Sequence, residues 1–260
     1  MATRIQFLGM AAYRITNSEG KVILIDPFLN DNPSSPVKAK DLERVDLLCI
    51  THLAFDHLGD TVEIYEKLNC PVCCGADVKH WLVKQGLPSE DVYALCWGLQ
   101  LLVAGIRVRG VISMHTSARV LQDGEFISGP PLGFIVYPDP DVRIYHSGDS
   151  AISSELKVIG EVYRPNIALL GLALPPKEFL EDHGYRGLHM NEMTANEAAL
   201  AAQWLGAEYA VASHYFKATG NPDVEKFVRI LNNLHSDDRP AIKPIVLEPG
   251  DVFVFPPEKG

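Results

Sequence analysis

The sequence predicts an α/β protein in which two similar βα halves pack as one layered domain, with helices covering two stacked sheets. Three observations carry that expectation. Short β-branched and apolar runs alternate with segments of helical periodicity, in the order strands, helices, strands, helices. The chain has 260 residues, 47% apolar and 22% charged, which suffices for a large buried core and excludes a mostly disordered chain. No Pro/Ser/Gly-rich stretch is long enough to separate domains and no solenoid-type repeat recurs, so residues 1–260 are expected to form a single domain.

Each element has its own signal. Residues 5–9 and 21–26 read as the strands of a hairpin around Asn17-Ser18-Glu19-Gly20. Asp26-Pro27 ends the second strand and opens a Pro/Asn/Ser-rich loop over 30–36. An apolar run over 45–51 predicts a strand that stops at a histidine-rich loop. Helical spacing over 61–68 and 76–85 flanks a short strand at 71–74. Residues 101–111 and 133–137 read as strands, and 142–145 as another running into His146-Ser147-Gly148-Asp149. A helix is expected over 150–160 and a buried strand over 167–172. The clearest helix spans 191–205, with Ala195, Ala198, Ala199, Ala202 and Leu205 on one face. A strand over 211–213 leads into His214, a helix covers 224–234, strands cover 245–248 and 252–255, and the tail over 256–260 is frayed.

Charge narrows the function classes. Against 23 basic residues stand 33 acidic ones, a net charge of −10, which argues against a general nucleic-acid binder. No window holds the ~18 uncharged apolar residues that span a bilayer. Met1-Ala2-Thr3-Arg4-Ile5 lacks the pattern of a secretory signal, and five cysteines, mostly in apolar runs, suit reduced thiols, so a cytoplasmic location is expected. Cys70 and Cys73 have dithiol spacing, but they continue an apolar segment instead of opening a helix, which favours packing over redox chemistry.

The chemistry concentrates in Thr51-His52-Leu53-Ala54-Phe55-Asp56-His57-Leu58-Gly59-Asp60, directly after an apolar strand. Two imidazoles and a carboxylate within six residues can converge on one cation, and that donor set suits Zn, Mn or Fe. Alternatively, such histidines cap a helix or face solvent. His115, Asp149 and His214 repeat the grammar, each following an apolar run. Singly each fits a structural role; together, in this order, they outline a metal centre.

Residues 51–60 resemble the metallo-β-lactamase superfamily signature, Thr-His-x-His-x-Asp-His-Leu-Gly-Asp. Asp26-Pro27-Phe28, Tyr145-His146-Ser147-Gly148-Asp149-Ser150 and Ser213-His214-Tyr215 resemble its branch of bacterial metal-dependent hydrolases that includes ascorbate-6-phosphate lactonase. The resemblance covers most of the chain and implies an αββα four-layer sandwich. It also implies that His52 and His115 serve a first metal position, Asp56, His57 and His214 a second, and that Asp149 bridges them. Asp26 and Asp60 would orient the ligand loop and the imidazoles, or else cap a strand end and a helix start.

Ala54 stands where the family has its second histidine, which weakens the first position. A mononuclear hydrolase, a dinuclear one with a substitute ligand, and a protein with a degenerate site all follow from that change. His189 is the candidate substitute ligand or substrate contact, with a structural role as its alternative. His146 reads as packing or support, and His80, His183 and His235 as solvated. Residues 174–186 form an insertion relative to the family, read equally as a lid or an oligomer contact.

The implied activity is hydrolysis by a metal-activated water, with Asp56 or Asp149 passing a proton to the leaving group. One or two divalent ions per chain are expected, Zn or Mn, with Fe as a further option. The substrate class favoured by resemblance is a small polar lactone or cyclic amide. A phosphodiester, read by Arg107, Arg109, Arg119 or Arg186, is the alternative, and a non-catalytic binding or scaffold protein is the alternative of another class. Neither nucleic acid nor membrane is an expected partner; a second copy of the chain is left open. No Gly-x-Ser-x-Gly elbow, Walker loop or dinucleotide fingerprint offers a rival mechanism.

Overall fold

The computed structural model describes residues 2–189, 192–234 and 241–256. The first half contains β1 (Thr3–Phe7), β2 (Tyr13–Thr16), β3 (Val22–Ile25), β4 (Leu47–Ile50), α1 (Phe55–Leu58), α2 (Thr61–Leu68), β5 (Val72–Cys74), α3 (Ala76–Lys84) and β6 (Val92–Ala94). The second opens with β7 (Gln100–Val103), β8 (Ile106–Ile112), β9 (Ser117–Val120), β10 (Phe126–Gly129), β11 (Leu132–Tyr137) and β12 (Ile144–His146). It continues through α4 (Glu155–Tyr163), β13 (Ile167–Gly171), α5 (Lys177–Asp182), α6 (Ala195–Leu205), β14 (Tyr209–Ser213), α7 (Pro222–Asn233), β15 (Lys243–Ile245) and β16 (Val252–Phe255).

Two seven-stranded sheets result, ordered β16-β1-β2-β3-β4-β5-β6 and β15-β14-β13-β12-β11-β8-β7. Each runs from an antiparallel part into a parallel one, β3 to β6 in the first and β12 to β15 in the second. That is the predicted α/β class: two mixed sheets flanked by helices. The central strands β3, β4, β5, β12, β13 and β14 are buried on both faces, and their period of two deals side chains into two cores. Ile23, Ile25, Leu47 and Cys49 face the core between the sheets, whereas Leu24, Leu48 and Ile50 face Ile64 of α2 and Val78 and Leu82 of α3. Alanines 195, 198, 199 and 202 bring α6 into the larger core. A capping box starts that helix: Thr194 Oγ1 accepts from the Glu197 amide at 3.3 Å while the Thr194 amide donates to Glu197 at 2.8 Å.

Several expectations needed correction. The turn at Asn17-Ser18-Glu19-Gly20 joins β2 to β3, because Tyr13–Thr16 is a short strand of its own between the two expected ones. The single strand expected over 101–111 is a hairpin, β7 and β8, turned at Ala104 and Gly105, both in the left-handed region. The helix expected from 150 begins at Glu155, and the strand expected over 245–248 pairs instead as Lys243–Ile245. Asn191 of the expected helix start, His235 and the tail beyond 256 lie outside the described residues. All five thiols are free, and burial pushes Cys70 and Cys73 up to about 12, so that pair is packing and not a reactive dithiol. No helix among the described residues is long and apolar enough to cross a membrane.

Candidate metal centre

The ligand loop is held from behind by Asp26, at the end of β3. Its carboxylate accepts the Thr51 amide hydrogen at 2.8 Å, the Thr51 hydroxyl at 2.8 Å and His57 Nδ1–H at 2.8 Å, all within the buried interior. Asp26 itself sits at φ +45°, a conformation that carbon-β residues adopt only when their surroundings impose it. Gly59 closes the loop at φ +44°, where a Cβ would stand 2.2 Å from the Pro27 carbonyl oxygen, so only glycine passes here. Asp60 accepts the Leu29 and Asn30 amides at 2.8 and 2.9 Å. It therefore fastens the loop after β3 to the start of α2, and its carboxylate is taken up by backbone instead of by imidazoles.

The ligand residues meet at the ends of β4, β8, β12 and β14. One group comprises Asp56, His57, Asp149 and His214, all buried; a second comprises His52, His115 and the same Asp149. In the first, His57 Nε2 lies 3.1 Å from Asp149 Oδ1 and 3.8 Å from Asp56 Oδ2. His214 Nε2 lies 3.3 Å from Asp149 Oδ1 and 3.5 Å from Asp56 Oδ2. Ligands ~2.0–2.2 Å from one tetrahedral ion stand about 3.3 Å apart, so this spacing fits a shared cation. In the second group His52 and His115 place Nε2 at 3.9 and 3.8 Å from Asp149 Oδ2.

The outer nitrogens fix which atom faces inward. His57 Nδ1 donates to Asp26, His52 Nδ1 lies 3.0 Å from Thr51 Oγ1, and His214 Nδ1 donates to the Ala173 carbonyl at 3.0 Å. Each contact reserves for Nδ1 the proton that stays on the neutral ring, so Nε2 is the atom turned to the centre and offered to a metal. Buried and without a hydrogen bond, the Nε2 atoms of His52, His57 and His214 are what a metal would satisfy. Loss of the supporting carboxylate is testable: Asp26→Ala strands three buried donors, and is expected to weaken metal binding about 10–100-fold and to lower stability by about 3–5 kcal/mol, read by metal titration and denaturant unfolding.

A profile of the beta-lactamase superfamily domain matches residues 21–215. A UPF0173 metal-dependent hydrolase of Rubrobacter xylanophilus is 35% identical over 214 residues, covering 82% of this chain and 81% of its own. The chain belongs to the metallo-β-lactamase superfamily, among its metal-dependent hydrolases. A second such relative, MK1542 of Methanopyrus kandleri, is 33% identical over 254 residues, covering 96% of this chain and 99% of its own. Among solved structures, Igni18, a novel metallo hydrolase of Ignicoccus hospitalis, superposes with a TM-score of 0.76 at 25% identity, covering 98% of this chain and 99% of that one.

Electrostatics divide the hydrolase's two ligand groups. Burial works against a charged His57, but Asp149, Asp26 and Asp56 outweigh it and hold the pKa well above the ordinary value. Burial likewise opposes charge on His214, yet Asp149, Glu192 and Asp56 raise it to about 10. Burial of Asp149 would raise its pKa, but His214, His57 and His52 hold it well below the usual carboxylate range. His52 and His115 go the other way: burial lowers both. The four-ligand group is thus a buried, carboxylate-rich nest that demands positive charge.

Other residues found different places. His189 is exposed and joins neither ligand group among the described residues. His146 is buried, lies 3.0 Å from the Ala11 carbonyl and accepts the Gly148 amide at 3.0 Å, which shapes the turn carrying Asp149. His183 is exposed, as its solvated reading expects, and stacks on Phe55 at 4.3 Å. Glu192 escaped sequence reasoning: its carboxylate is buried 3.4 Å from His214 Nδ1 and shares that nitrogen with Ala173. An acidic residue beside Met193 and ahead of the Thr194 cap was its one signal.

Residues 174–188 roof the centre. Phe179 of α5 packs edge-on against Phe216 at 4.9 Å and lies 6.0 Å from Phe55. Beneath it lies a cavity of about 90 Å³, reaching Asp56, His115, Asp149 and His214 on one side and Leu174, Phe179, Tyr185 and Leu188 on the other. This segment therefore covers the metal centre.

Proposed function

We propose that this hydrolase opens small lactones or cyclic amides, acting on a small-molecule substrate in the cytoplasm. The observation that carries the reading is Asp149, shared by both ligand groups on the floor of a small roofed cavity. A divalent ion such as Zn or Mn, bound there, supplies Lewis acidity and a water acidified to near neutrality. Asp56, His57, Asp149 and His214 would hold one ion, and His52, His115 and Asp149 a second.

The chain's own groups do the rest. The Asp149 carboxylate directs Oδ1 toward His57 and His214 and Oδ2 toward His52 and His115, so one side chain sets the spacing of both positions. Asp56 lines the cavity as well as facing His57 and His214. Its carboxylate takes the proton from the attacking water and returns it to the ring oxygen or nitrogen that leaves. The roof over residues 174–188 keeps competing water from the reacting centre. Five free thiols, four of them buried, fit a reducing compartment.

Elemental analysis of unchelated protein, combined with a lactone panel, tests the reading. One or two ions per chain are expected, with turnover lost after chelation and restored by Zn or Mn. Undiminished turnover after complete chelation overturns it. Failure to take up metal on reconstitution moves the protein to a binding or scaffold role.

A further inference from the structure

The residue at position 54 faces substrate space. Ala54, at the N-cap of α1, lines the cavity beside Phe55 and Asp56 and together with His115. At this lining position a side chain larger than its methyl group would take up cavity volume. Apolar side chains make up much of the remaining wall, Phe55 together with Leu174, Phe179 and Leu188 of the roof, opposite the polar Asp56, His115, Asp149 and His214. Thr116 and Tyr185 add uncharged hydroxyls.

No Lys or Arg lines this cavity among the described residues. The arginines that could have read a phosphate lie outside the lining, and Arg107, Arg109 and Arg119 have other partners. Arg107 lies over the Tyr137 ring at 4.6 Å, and Arg109 over Tyr163 at 4.6 Å while donating to the Gly98 carbonyl. Arg119 lies 5.4 Å from the Trp81 ring and donates to the Leu53 carbonyl at 3.3 Å. Arg186 is exposed and outside the lining. Away from the residues that would hold metal, a phosphate or carboxylate borne on the rest of the substrate would meet hydrocarbon and uncharged hydroxyls, without the cationic fork that binds such groups.

We propose that the space left by Ala54 is a subsite for the apolar ring carbons of a small uncharged cyclic ester or amide, and that anionic substrates, phosphorylated ones included, are rejected. This rests on the hydrolytic reading above and names the substrate class of the same site. It turns the missing imidazole into a specificity feature: position 54 holds substrate instead of metal.

The test uses the Zn-loaded full chain with two matched probes, γ-butyrolactone and its anionic analogue 5-oxotetrahydrofuran-2-carboxylate. Ring opening is followed by proton release, and binding by saturation-transfer NMR. The expected result is a kcat/KM for the neutral lactone at least about 100-fold above the anionic one. Ala54→Leu should reduce γ-butyrolactone binding about tenfold or more, with a thermal melt confirming the fold. Leu188→Lys, at a partly exposed loop position, should raise kcat/KM for the anionic lactone and narrow the gap. Equal turnover of both probes, or preference for the anionic one, overturns the substrate class and leaves metal-dependent hydrolysis standing. Saturation transfer to γ-butyrolactone that is lost in Ala54→Leu, without ring opening, supports the subsite while refuting lactone hydrolysis. No saturation transfer to the neutral probe, or unchanged binding in a folded Ala54→Leu, overturns the subsite itself.

Discussion

Asp149→Asn is expected to disable both metal positions at once. The substitution keeps the side chain's size and removes the carboxylate that belongs to each ligand group. Metal per chain should fall toward zero, and metal-dependent hydrolysis by about 10³-fold or more, since a lost metal forfeits several kcal/mol of transition-state stabilisation. The variant also removes a principal counter-charge from His57 and His214, so both imidazoles should titrate nearer their ordinary range in the metal-free protein. Elemental analysis, turnover and histidine NMR titration read these effects separately. Wild-type metal content with wild-type turnover would sink the assignment of Asp149 to either position.

Metal uptake should expel protons, and from one ligand group only. In the metal-free protein at pH 7, His57 and His214 carry protons, because both pKa values are raised, that of His214 to about 10. A metal needs Nε2 bare, so loading this group releases up to two protons. The sign follows: raising pH removes the competing protons, and apparent affinity should climb by up to about 100-fold per pH unit between 6 and 8. The slope should flatten as pH approaches the raised values. His52 and His115 are depressed and already neutral, so filling their position should release none. Calorimetric Zn titrations of the chelated protein in buffers of different ionisation enthalpy measure the protons directly. Heats independent of buffer would contradict the prediction.

The two halves of the problem were unequally legible. His52, Asp56 and His57 lie within six residues after one strand, and short-range chain geometry suffices to bring them to one centre, His52 in one ligand group and Asp56 and His57 in the other. His115, Asp149 and His214 were found through a shared grammar, an apolar run followed by a ligand type, which works because strand ends are where a buried backbone surfaces. The helically periodic segment 61–68 and the apolar run 252–255 appear over the same residues in the structure. The shortest elements did not show: Tyr13–Thr16, Val92–Ala94 and the one-turn α1 are too brief for periodicity to rise above local noise, and they exist because neighbouring strands and loops complete their hydrogen bonds.

By itself, then, the sequence determined the α/β class, the residues able to bind metal and the absence of an imidazole at position 54. Tertiary structure alone decided how those residues are used. Asp26 reaches His57 across 31 positions and Ala173 reaches His214 across 41, and such long-range contacts select the nitrogen that faces a metal. The same packing gave Glu192 its place behind His214, turned Asp60 to the backbone, left His189 in solvent and laid residues 174–188 over the site. Ligand identity is a local chemical property of a side chain. Protonation, position and substrate space are set by what packs against it, and residues far apart in the chain supply that.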